Sequence, residues 1–131
     1  MFDQLEITVL RPGPRFPAQL RFWVNGEDVV EQAVGPGGRG PWVSEALPVG
    51  LPSVLRATVE ARRVQLGEPE CTGGCCGYLS VVVQRMGNVV QWSGWQLPHL
   101  GGRLLEFDFD AGDYDAEVDR AEADFGWRYV A

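Results

Sequence analysis

Between Leu5 and Val9 the chain alternates, with Leu5, Ile7 and Val9 on one side and Glu6 and Thr8 on the other. A period of two predicts a half-buried β-strand. Arg11-Pro12-Gly13-Pro14 ends it, because proline has no amide to give to a ladder and Gly-Pro punctuates turns. A second strand-like run, Leu20 to Val30, is interrupted by Asn25-Gly26. Both residues tolerate positive φ, so the dipeptide predicts a hairpin with a type I′ turn. The run Gly35-Pro36-Gly37-Gly38-Arg39-Gly40-Pro41 reads as a loop, with Trp42 pinning it to the body. Residues 43–53 carry Pro48, Gly50 and Pro52 and are expected to continue irregular.

From Val54 to Val64, Leu55, Ala57, Val59 and Ala61 alternate with Arg56, Thr58, Glu60 and Arg62. Four such pairs predict a strand, although Ala, Arg and Glu also tolerate a helix. Tyr78–Arg85 and Val89–Trp92 flank Gly87-Asn88 as a second hairpin, whose β-branched density marks the centre of the sheet. Arg103 to Phe109 alternates again, with Leu105, Phe107 and Phe109 inward and Glu106 and Asp108 outward. A helical stripe is formed by Tyr114, Val118, Ala121 and Phe125 at spacings of 4, 3 and 4. Asp110 suits its N-cap, with Asp113 three residues on in the manner of a capping box, and Gly126 its end. The expected architecture is one domain over 1–131, mainly β. Six or seven antiparallel strands form a sheet or sheets, sandwich or barrel-like, closed by one C-terminal α-helix.

Composition narrows the function classes. Of 131 residues, 45% are hydrophobic and 22% charged, which excludes wholesale disorder. No apolar run reaches the ~18 residues of a membrane-spanning helix. The first residues lack a basic n-region and an apolar h-region, so a cytoplasmic protein without a secretory signal is expected. All 11 basic residues are arginine, a bias of GC-rich genomes. The net charge is −7, and nine of the 18 acids lie between Glu106 and Asp124, where Arg120 alone opposes them locally. Such a surface repels nucleic-acid phosphates and anionic lipid and draws a basic partner, faster at low salt; it also serves solubility alone.

Glu70-Cys71-Thr72-Gly73-Gly74-Cys75-Cys76-Gly77 is the segment that looks chosen for chemistry. With His99, the chain's single histidine, Cys71, Cys75 and Cys76 make a Cys3His zinc set, though C-x3-C-C departs from the familiar C-x2-C pairs. A cysteine activated by His99 beside glycine amides is a second reading, and buried cysteines packing as small hydrophobes a third. An odd number of cysteines points to a reducing compartment. The glycines lack the Walker A spacing and its lysine. Asp108–Asp115 has its glycine one place early for an EF-hand, and a helix cap explains the same residues.

The run from Leu66 through the CxxxCCG motif to Gly77, followed by Val81-Val82-Val83, Trp92-Ser93 and Phe107-Asp108-Phe109-Asp110-Ala111, resembles small uncharacterised proteins of actinobacteria over about residues 55–125. That resemblance implies a provenance, in agreement with the absence of lysine, and no activity. In size, acidity and β-rich build the chain is similar to immunity proteins of bacterial polymorphic toxin systems. The expected function is accordingly a non-enzymatic cytosolic protein-binding module, an immunity-type inhibitor of a basic toxin or effector. Asp108, Asp110, Asp113, Asp115, Glu117, Asp119 and Glu122 would steer association, and Trp92, Trp95 and Trp127 would anchor it. Trp92 and Trp95 are expected exposed, in a glycine-containing turn after the hairpin. The alternatives are a small zinc-binding domain using Cys71, Cys75, Cys76 and His99, and a cysteine-dependent enzyme. No other cofactor is implied.

Overall fold

The alternation at the start of the chain becomes β1 (Leu5–Leu10), paired antiparallel with β2 (Gln19–Val24) so that Ile7 stands opposite Phe22. Both side chains are buried. A computed structural model describes residues 2–14, 17–35, 38–48, 50–68, 78–97 and 106–123. Asn25 and Gly26 take φ of 54° and 84°, the two positive values a type I′ turn requires. They hand the chain to β3 (Glu27–Asp28), which completes a three-stranded sheet in the order β1-β2-β3.

The hairpin's second arm is shorter than the sequence suggests. The Asp28 carboxylate accepts hydrogen bonds from the amides of Val30 and Glu31, an N-cap that turns the chain into α1 (Val29–Val34). Val29, Val30, Ala33 and Val34 then bury on one face. Past the loop, Arg39 pairs with Glu68 and Trp42 with Gln19 in isolated bridges, so residues 39–42 form a strut between the two sheets. Gly40 makes this close approach possible: a Cβ there would lie 1.8 Å from the Leu20 carbonyl oxygen. Trp42 does hold the loop, its ring lying under the Arg39 guanidinium at 3.9 Å. The stretch expected to be irregular contains one helical turn, α2 (Val43–Ala46).

The second sheet runs β4 (Arg62–Gly67), β5 (Leu79–Met86), β6 (Val89–Gln96) and β7 (Phe107–Asp110), antiparallel and in chain order. Gly87, at φ 62°, opens the β5–β6 turn. The strand expected from Val54 is corrected: only Arg62–Gly67 is strand, and Val59, on the supposed inner face, is 75% exposed. Residues 53–59 instead form a strap whose polar backbone groups are satisfied from outside. The Leu55 carbonyl accepts from the Tyr114 hydroxyl, the Thr58 carbonyl from the Arg85 amide and the Val59 carbonyl from Gln84. Once these groups are satisfied, the strap has no need of a ladder.

Helix α3 (Ala111–Glu122) has Asp110 at its N-cap, the carboxylate accepting from the Asp113 amide, and buries Tyr114, Val118 and Ala121 as the stripe predicts. Its last residue is Glu122, with Ala123 at the C-cap; Phe125 and Gly126 lie outside the described residues. It packs on β1, β7 and β6. The parallel bridge from Asp3 to Phe109 ties the two sheets on this side, and the strut ties them on the other, without closing a barrel. The fold is therefore mainly β, two antiparallel sheets sharing a core with a C-terminal helix, as expected; α1 and α2 are additions.

Candidate functional site

The acidic segment divides into two halves that the sequence does not distinguish. Towards the C-terminal part of α3, Arg56 forms ion pairs with both Asp119 and Glu122, Arg85 lies 3.2 Å from Asp115, and Arg120 lies 2.7 Å from Glu117. Arg120 is the cation the segment itself supplies, and the fold adds Arg56 and Arg85 from elsewhere in the chain. Burial works against the Arg56 charge, but the hydrogen bonds and fields of Asp119 and Glu122 outweigh it and raise its pKa. Glu117 is further committed to structure, its Oε2 accepting from the Ile7 amide at 2.6 Å while Arg120 donates to the Ile7 carbonyl. Two side chains thus satisfy the open edge of β1 where a neighbouring strand would. Burial acts to raise the Glu117 pKa, but Arg120 and the Ile7 amide prevail and lower it.

At the other end the carboxylates form no ion pair among the described residues. Asp3 donates its amide to the Asp108 carbonyl at 2.8 Å, and its Oδ2 accepts from the Asp108 amide at 2.9 Å. That reciprocal contact, across 105 positions of sequence, sets Asp3 against the backbone of Asp108, two residues before the Asp110 cap of α3. Asp3 Oδ1 also accepts from Asn25, and Asp108 accepts from Gln91. Asp110 serves as the cap and Asp113 occupies the first turn, where negative charge meets the positive end of the helix dipole. Among the described residues none of Asp3, Asp108, Asp110 and Asp113 has an arginine partner. A cleft of about 290 Å³ between β1 and α3 is lined by Asp3, Leu5, Phe109, Asp113, Glu117 and Arg120, among others.

The aromatic anchors are placed differently from expectation. Trp92 is 0% exposed: it stands on β6 with Phe22, Phe109, Tyr114 and Trp95 edge-on around it, and its indole N–H donates to the Tyr114 hydroxyl. Trp95, also on β6 rather than in a turn, is half-buried against Trp92 and Phe107. The expected exposed pair is therefore part of the core. Trp127 lies outside the described residues. Among the described residues an exposed aromatic beside the acid is Phe2, 42% exposed and adjacent to Asp3. Sequence reading missed Phe2 and Asp3 because the contact that joins them to β7 is tertiary.

Cys71, Cys75, Cys76 and His99 also lie outside the described residues. Among the described residues no group of three or more His, Cys, Asp or Glu side chains is arranged to hold a metal. No helix among them is long and apolar enough to cross a membrane. Comparisons with family models, with curated proteins and with solved structures give no match.

Proposed function

We propose that the chain is a non-enzymatic, cytoplasmic protein-binding module that covers a basic partner, as an immunity-type inhibitor covers a basic toxin or effector. The observation that carries this reading is the division of charge. Arginines neutralise Asp115, Glu117, Asp119 and Glu122, whereas among the described residues Asp3, Asp108, Asp110 and Asp113, around one end of α3, form no ion pair with an arginine. Uncompensated charge at a rim steers encounter, and an exposed aromatic beside it supplies contact area. Phe2 is placed to do so. The likeness in size, acidity and build to immunity proteins points the same way. The docking face proposed is thus narrower than the full acidic run and excludes Trp92.

The test is association kinetics with the partner recovered on the immobilised chain. Combining Asp3→Asn, Asp108→Asn and Asp113→Asn should slow association by ~10-fold at low salt and flatten its salt dependence, with dissociation little changed. A partner that is itself acidic, or rates indifferent to both salt and the triple substitution, would overturn the reading.

A further inference from the structure

Strand β4 lies at the edge of its sheet, and the strut meets it only past its end, where the Arg39 and Glu68 backbones exchange two hydrogen bonds. Before that point a cavity of about 300 Å³ opens beside the strand, lined in succession by residues 62–65. Side chains of successive strand residues point to opposite faces, so what these four share is the backbone edge with its outward N–H and C=O groups. Arg39, Pro41, Glu45, Ala46 and Val54 complete the lining.

The charges on this lining are not equivalent. Arg39 is fixed, its Nη2 on Glu68 at 2.7 Å and its guanidinium over Trp42. Arg63 is turned across the sheet, donating to the Ser80 hydroxyl on β5 at 3.1 Å. Arg62 lies on the face of Val64, and its side chain donates one hydrogen bond, to the Arg56 carbonyl. A guanidinium has five N–H donors, so Arg62 keeps several for a ligand. Among the described residues Glu45 meets no cation, and it forms no ion pair with Arg62. The cavity therefore offers one positive and one negative side chain, a strand edge, and an apolar wall of Pro41, Ala46, Val54 and Val64.

We propose that this cavity binds a short apolar peptide with both termini free. Arg62 takes the carboxylate and Glu45 the ammonium by charge-assisted hydrogen bonds. The peptide group pairs with the edge of β4, as an added strand does, and an apolar side chain packs on Val54 and Val64. A zwitterion fits better than an ion of either sign, which would gain one partner and meet a like charge at the other. The site shares no residue with the acidic face, and its test reads binding of small molecules rather than of a protein.

Amide chemical shifts of the whole chain are followed while leucyl-leucine is titrated in, alongside leucine, N-acetyl-leucyl-leucine and leucyl-leucinamide. Leucyl-leucine is expected to shift the amides of Ala46, Val54 and Val64 saturably. Acetylation removes the ammonium and amidation the carboxylate, and each should weaken binding about 5-fold. Leucine, with no peptide group for the edge, should also bind about 5-fold more weakly. Arg62→Gln should erase the difference between leucyl-leucine and its amide. Glu45→Gln should erase that between leucyl-leucine and its acetylated form. In both variants the amide shifts away from the cavity should stay native. The proposal fails if no probe shifts these amides saturably, if leucine or either capped peptide binds as tightly as leucyl-leucine, or if the variants discriminate as the wild type does.

Discussion

The indole rings of Trp92 and Trp95 meet edge to face, centroids 6.0 Å apart, although the residues stand three positions apart on β6. Strict alternation would place them on opposite faces of the sheet. The register explains the contact. Ser80 pairs with Gln96 but Val82 with Ser93, so β6 carries one residue more than β5 across this interval. Gly94, at φ 58°, lies in that bulge, and the extra residue returns Trp95 to the side of Trp92.

The bulge makes Gly94 a sensitive position. Its φ disfavours any side chain, and a Cβ would come within 3.2 Å of Val82 Cγ2. Gly94→Ala should destabilise the fold by about 1–2 kcal/mol, measured as a lower urea midpoint. A neutral result would show that the glycine is not required for the paired tryptophans.

Tyr114 joins three parts of the core. Its hydroxyl donates to the Leu55 carbonyl at 2.6 Å and accepts from the Trp92 indole at 3.3 Å. Tyr114→Phe leaves both partners without that hydroxyl and should cost about 1–3 kcal/mol in denaturant melts. Burial, the largest cause, raises the phenol's pKa far above its ordinary value of 10.0. The folded state therefore holds the proton that the unfolded state releases, and stability falls as pH rises past 10.0. An alkaline absorbance titration should show Tyr114 ionising only with unfolding.

Glu117 gives the opposite sign at acid pH. Its folded pKa lies below the ordinary 4.5, so its contribution is complete above 4.5 and is lost as pH falls through the folded value. Glu117→Gln should cost about 1 kcal/mol at neutral pH, and the gap to wild type should close in acid. Parallel thermal melts across pH would check this; a gap that persisted in acid would mean that the carboxylate charge is not what secures the edge of β1.

Gly40 and Gly13 offer a matched pair. A Cβ at Gly40 collides with the Leu20 carbonyl in the strut, whereas at Gly13 it meets nothing within 4 Å. Gly40→Ala should destabilise by about 3 kcal/mol, and Gly13→Ala should stay within about 0.5 kcal/mol of wild type. Both are read from urea unfolding.

Local signals were legible where the deciding forces are local. The Asn25-Gly26 turn, the Gly87-Asn88 hairpin, the Asp110 cap and the Tyr114–Val118–Ala121 stripe each depend on backbone preference or periodicity within one element, and each appears in the fold. Two readings failed where the alternating pattern met a stronger competitor, distant in one case and a local cap with tertiary burial in the other. Val54–Val64 alternates like a strand, yet Tyr114, Gln84 and Arg85 satisfy its carbonyls and make it a strap. Leu20–Val30 reads as two strands, yet the Asp28 cap and burial of the valines favour a helix.

From the amino-acid order alone came the antiparallel β character, the terminal helix and the total charge, because periodicity and composition act through neighbours in the chain. Which carboxylates meet an arginine and which tryptophans are hidden was decided by the tertiary structure. Charge compensation and burial depend on distance in space: Arg56 finds Glu122 across 66 positions, and Asp3 finds Asp108 across 105. No window along the chain contains those pairs.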